Sequence, residues 1–167
     1  MLIDGNNMIE LLSLPEWDER VVAMLEEFGE ERPVYNPEQS YVFITLKDYG
    51  LEMMFETDAL TPKQKENEGQ GNLYLNQISL SNKTTIKLPF DLEIGDDYDT
   101  VVKKLGKDAN YENSDTKELL YWLLDDGEKK YFINVNFEDA SYEKLKNIFL
   151  DPYSEDIEYF GCIAFNK

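Results

Sequence analysis

Asp18-Glu19-Arg20-Val21-Val22-Ala23-Met24-Leu25 and Tyr98-Asp99-Thr100-Val101-Val102-Lys103-Lys104-Leu105 read as one short helix written twice, with Val-Val-x-x-Leu in register and Gly29 and Gly106 close behind. Trp17, Val21, Met24, Leu25 and Phe28 recur at helical spacing, so one face of the first copy is apolar and Glu19, Glu26 and Glu27 lie on the other. The segment C-terminal to each helix also repeats. Tyr41 to Leu46, Gly50 and Leu51 to Glu56 make an apolar run, a turn and a second run; Leu119 to Leu124, Gly127 and Tyr131 to Glu138 do the same. Leu75-Asn76-Gln77-Ile78-Ser79-Leu80 and Leu145-Lys146-Asn147-Ile148-Phe149-Leu150 then share Leu-x-x-Ile-x-Leu. A repeat on this scale constrains the whole fold. It predicts an α+β molecule in one domain spanning 1–167, built of two tandem α-β-β-β units (about 8–80 and 88–165) that form a curved antiparallel sheet with helices on one face.

Local signals fill in the units. Met8, Ile9, Leu11 and Leu12 predict a short opening helix, and Leu14-Pro15-Glu16 closes it and starts the next with proline in the first turn. Residues 32–39 read as a loop. In the first hairpin, period-two alternation puts Val42, Ile44, Leu46, Leu51, Met53 and Phe55 on one face. Tyr41, Phe43, Thr45, Glu52, Met54 and Glu56 fall on the other. Thr61 to Gly71 lacks periodicity and predicts a mobile loop, followed by a third strand over 73–80. In the second half, Gly95-Asp96-Asp97 supplies turn and cap, Tyr111 to Lys117 reads as a polar loop, and Asp125-Asp126-Gly127 as a hairpin turn. Tyr131, Ile133, Val135 and Phe137 oppose Phe132, Asn134, Asn136 and Glu138, whereas Leu119 to Leu124 is apolar on both faces and must be central or covered. Ile157 to Phe165 predicts a final strand with Gly161 as a bulge.

Composition narrows the chemistry. Of 167 residues, none is histidine, which removes the commonest general base, the usual catalytic triads and most zinc sites. The single cysteine, Cys162, forms no internal disulfide and reads as a small buried hydrophobe. No phosphate-cradling glycine motif or nucleophile elbow occurs. Asp96, Asp97 and Asp99 fit helix capping better than a calcium loop, so no metal, cofactor or catalytic residue is expected. A formal charge of −19 repels nucleic acid and anionic lipid and attracts a basic protein partner; the same acidity also serves solubility. No window approaches a membrane span and no secretory leader is evident, so a cytoplasmic protein is expected.

Two units of helix, hairpin and third strand resemble the tandem-repeat architecture of the β-lactamase inhibitor proteins and the related lipoprotein modules of the outer-membrane assembly machinery. Ile94-Gly95 to Leu105-Gly106 is similar to their glycine-led turn and short x-x-Val-x-x-x-Leu-Gly helix; Pro15-Glu16 to Phe28-Gly29 matches more loosely. Leu88-Pro89-Phe90 through Gly106 is also similar to a segment of small cytoplasmic immunity proteins encoded beside bacterial polymorphic toxins. The resemblance implies a sheet face, opposite the helices, that grips the target. Carried over by position, that face presents Tyr41, Phe43 and Thr45 from the first strand, Tyr74 and Asn76 from the third, and Trp122, Phe132, Asn134 and Asn136 from the second hairpin. Glu52, Glu56 and Asp126 would steer association. The same aromatics can also pack on one another. The expectation is therefore an immunity protein that neutralises a cognate bacterial toxin, basic at its contact surface. The alternatives are an intracellular adaptor or regulatory module using the same sheet and a carboxylate-dependent hydrolase.

Overall fold

The computed structural model describes residues 3–66, 71–154 and 161–166, and its helices begin where a side chain can take a backbone amide that has no partner inside the helix. Asp4 accepts the Asn7 amide and starts α1 (Gly5–Leu11). Asp18 accepts the Arg20 amide and starts α2 (Glu19–Glu27). Thr61 and Gln64 cap α3 (Pro62–Lys65) reciprocally, and Asp97 caps α4 (Tyr98–Leu105), which Gly106 ends in the left-handed conformation.

Several local expectations change. Helix α2 does not start at Pro15, because Ser13 to Glu16 are committed to the sheet: the Ser13 amide donates to Leu75, the Leu75 amide to Leu14, and the Glu16 amide to Leu73. Trp17, expected on the apolar helical face, is consequently 54% exposed, its indole N–H donating to Asn72. The Thr61 to Gly71 loop contains α3, held by its capping box, while 67–70 lie outside the described residues.

The strands are β1 (Tyr41–Leu46), β2 (Leu51–Glu56), β3 (Tyr74–Leu80), β4 (Tyr111–Asn113), β5 (Leu119–Asp125), β6 (Lys130–Phe137), β7 (Leu145–Pro152) and β8 (Cys162–Ala164). They form one open antiparallel sheet in the order β1-β2-β3-β7-β6-β5-β4-β8. Strand β4 occupies what the sequence suggested was a polar loop; its backbone pairs with β5 on one side and β8 on the other, which its polar side chains do not reveal. Of the expected last strand, 157–160 lie outside the described residues and Cys162–Ala164 is extended. At the first hairpin turn Gly50 has φ +56°, and a Cβ there would lie 2.5 Å from the Thr84 backbone nitrogen, so only glycine fits.

The two Leu-x-x-Ile-x-Leu motifs meet at the middle of the sheet. Ile78 pairs with Leu150, Ser79 with Phe149 and Leu80 with Ile148, and the six apolar motif residues are buried. Helices α1, α2 and α4 cover one face: Met8, Leu11, Val21, Met24, Leu25 and Val101 join Met53, Phe55, Ile78, Ile133 and Leu150 in the main core. Burying each such large side chain contributes about 1.5–3 kcal/mol. Val22, Val102 and Leu105 are only half-buried, the latter two packed at its margin. The β5–β6 turn is tied to α1 by Lys129, whose ammonium donates to the carbonyls of Ile9, Glu10 and Leu12 at 3.1, 3.0 and 2.7 Å.

Candidate functional site

The face of the sheet away from α1, α2 and α4 is set by alternation, since residues directly opposite in a ladder share a face. Tyr41, Phe43 and Thr45 of β1 lie opposite Glu56, Met54 and Glu52 of β2. Tyr41 and Phe43 are 57% and 48% exposed and meet edge to face at 5.4 Å between ring centroids. Thr45 donates its hydroxyl to Glu52 at 2.8 Å. These side chains share the sheet face that alternation assigned to them.

Trp122 does not belong there. It pairs with Ile133, so its side chain points into the helix-covered core, where it is 0% exposed, packs near Tyr98 and donates its indole N–H to the Lys107 carbonyl at 2.9 Å. Strand β5 is apolar on both sides because its open-face residues are covered as well. Tyr121, Phe132 and Cys162 form a second small core, with Tyr111, Leu119, Leu123 and Tyr153 packed around it. Phe132 therefore lies on the expected face but is buried.

Tyr74 and Asn76 are also on that side and buried, under the segment that carries α3. The Tyr74 hydroxyl donates to the Gln64 carbonyl at 3.3 Å. Asn76 stands at a bulge where the β2–β3 register shifts; its amide donates to Glu56 and to the Asp58 carbonyl and accepts from Gln64. Asp126 serves the hairpin turn, accepting the amides of Glu128 and Lys129, and takes no part in the face. Asn136 is half-buried and donates to Asn147 at 3.1 Å.

Between the exposed corner and the second core, a cleft of about 420 Å³ crosses the β3–β7 seam. Met54 and Glu56 of β2, Gln77 of β3, Phe149 and Asp151 of β7, and Phe132 and Asn134 of β6 line it, with Tyr121, Leu119 and Asp58 among its other walls. Gln77 donates to one oxygen of Asp151 at 2.9 Å, and Asn134 donates to the other through a short hydrogen bond. Desolvation pushes the Asp151 carboxyl up to about 7, against those two hydrogen bonds and with the Glu56 charge adding to the shift. Burial likewise raises Glu56, opposed by its Asn76 hydrogen bond. Burial carries the Tyr121 phenol up to about 12 and raises the Cys162 thiol. Asn134 is 5% exposed, and its Oδ1 has no hydrogen-bond partner among the described residues.

Glu56, Asn76, Phe132 and Asn134 are thus brought together from the expected contact residues. Asp151, Gln77 and Phe149 join them without having been expected there. Their signal lies in Leu150-Asp151-Pro152: once Leu150 faces the core, Asp151 must face the other way. No protein-family model, curated protein or solved structure matches this chain.

Proposed function

We propose that this chain is a binding protein of the immunity or inhibitor kind, whose helix-free sheet face occludes a basic surface on a cognate bacterial toxin within the cytoplasm. The observation that carries the reading is the sheet face itself: it holds the exposed Tyr41 and Phe43 pair beside a cleft that crosses the molecule's midline. Large aromatic rings next to a concavity suit the centre of a protein interface, since they bring contact area at small entropic cost. The charge of −19 supplies complementarity toward a basic partner.

The test uses the full chain as bait in its native host, with a Tyr41→Ala/Phe43→Ala double variant beside it. Both side chains are exposed, so the variant should keep the wild-type melting temperature. It should lose about 2 kcal/mol or more of affinity and fail to neutralise the toxicity of the captured partner. Equal capture and equal neutralisation by both proteins would remove the sheet face from the interface.

Asp151 supports a second reading, a carboxylate-dependent hydrolase, because a carboxyl near neutrality in a cleft is what a general acid requires. Turnover by the purified protein, lost on Asp151→Asn, would favour it.

A further inference from the structure

The polar atoms around the cleft are unbalanced. Glu56, Asp58 and Asp151 bring three carboxyl groups, and among the described residues no lysine or arginine lines the cleft. Gln77 and Asn134 each donate to Asp151, and Asn76 donates to Glu56 and to the Asp58 carbonyl. Acceptors are left over, among them the unpaired Oδ1 of Asn134 on a side chain that is 5% exposed. A buried acceptor without a donor is unfavourable, so the site is complementary to a guest that brings several N–H groups. Tyr121, Phe132 and Phe149 line the same cleft and favour a flat cation over a compact one. A metal ion is the poorer guest, since no three carboxylate or thiol groups among the described residues converge closely enough to hold one.

We propose that the cleft seats an arginine side chain of the protein partner, its guanidinium paired with Asp151 and Glu56 and its remaining N–H groups directed toward the Asn134 amide oxygen. The inference rests on the partner-binding reading and names that partner's anchor. Arginine is favoured over lysine because its planar fork carries five donors and can engage a carboxylate with two hydrogen bonds while stacking on a ring. The rest of the interface, around Tyr41 and Phe43, lies next to the cleft across β2, so one partner surface can cover both.

Binding the guanidinium takes the place of the proton on Asp151, and affinity should rise between pH 5.5 and 8. Of the other titratable groups facing the site, Glu56 on β2 is raised by burial, with the nearby Asp58 charge adding to it, and contributes in the same direction. Tyr121 on β5 and Cys162 on β8 are both raised and stay protonated through that window.

The experiment titrates blocked arginine (N-acetyl-arginine methylamide) into the full chain and reads the side-chain amide resonances of Gln77 and Asn134. Saturable shifts are expected, at least tenfold weaker with blocked lysine and absent with blocked citrulline, which keeps the shape and loses the charge. Asp151→Asn and, independently, Glu56→Gln should each weaken binding about tenfold while the melting transition persists. If Asp151→Asn fails to fold, Glu56→Gln and the citrulline comparison decide. No saturable shift, or equal shifts with arginine and citrulline, overturns the proposal. Should the Tyr41/Phe43 double variant still lose the partner in that case, the sheet face remains the interface and only the arginine anchor falls. If blocked arginine binds but the double variant captures partner normally, the Tyr41/Phe43 corner is removed from the interface instead.

Discussion

Asp126 and Asp151 show how far a residue's role depends on its surroundings. Asp126 sits in Asp125-Asp126-Gly127, where a turn is legible from the letters, and its carboxylate is held low by the Lys129 and Glu128 amides it accepts. Asp151 follows a core leucine and is pushed from 3.8 to about 7 because strands distant in sequence remove its water. The consequence for stability has a definite sign. Between pH 3.8 and about 7 the folded protein holds a proton that the unfolded chain releases, so Asp151's contribution is fully present below 3.8 and is lost as pH rises through 7. Melting curves from pH 5 to 8 should show wild type losing several degrees relative to Asp151→Asn, in which that slope is absent; parallel curves would refute the assignment. Lys129 is a second residue whose role only contacts reveal. Burial pulls its ammonium down to about 8, yet three carbonyls at the C-terminal end of α1 receive it. Lys129→Met keeps the apolar stem and deprives those carbonyls, and should cost about 2 kcal/mol or more in a denaturant titration. An unchanged midpoint would mean that water replaces the ammonium.

Helix α4 was legible because its start signal acts over three or four residues, whereas the start of α2 was misread and α3 lay in what read as a loop. Gly95-Asp96-Asp97 announced α4, and Val21, Met24 and Leu25 of α2 are buried as periodicity required. The two copies of Val-Val-x-x-Leu are not packed alike, however: Leu25 is fully buried and Leu105 is half-buried. Leu25→Ala should therefore cost about 2–5 kcal/mol by leaving a core cavity, and Leu105→Ala less than about 2. Chemical unfolding of both variants checks the ranking, and the reverse order would refute the packing described. Strands were legible where one face is buried and the other wet, as in β2 and β6. Alternation is silent where a second layer covers the far face, which is why Trp122 was expected at the interface and lies in the core. Strand β4 was missed because its backbone pairing leaves no mark in Tyr111-Glu112-Asn113.

At the scale of the whole molecule, a charge of −19 on one sheet-and-helix body should steer a basic partner during encounter. Stopped-flow association rates should fall as ionic strength rises from low to physiological, where the screening length shortens to about 8 Å. A rate independent of salt would assign the acidity to solubility. The sequence by itself determined the α+β class, most of the helices and hairpins, and the acidic, histidine-free chemistry, because capping, alternation and composition are carried by neighbouring residues. Only the tertiary structure decided which face each side chain of β5 takes, that Phe132, Tyr74 and Asn76 are covered, and that Glu56, Gln77, Asn134 and Asp151 share one cleft. Those outcomes arise from strand order and register, which join β2, β3, β7 and β6 across up to about a hundred residues of chain, and no local pattern specifies a ladder of that span.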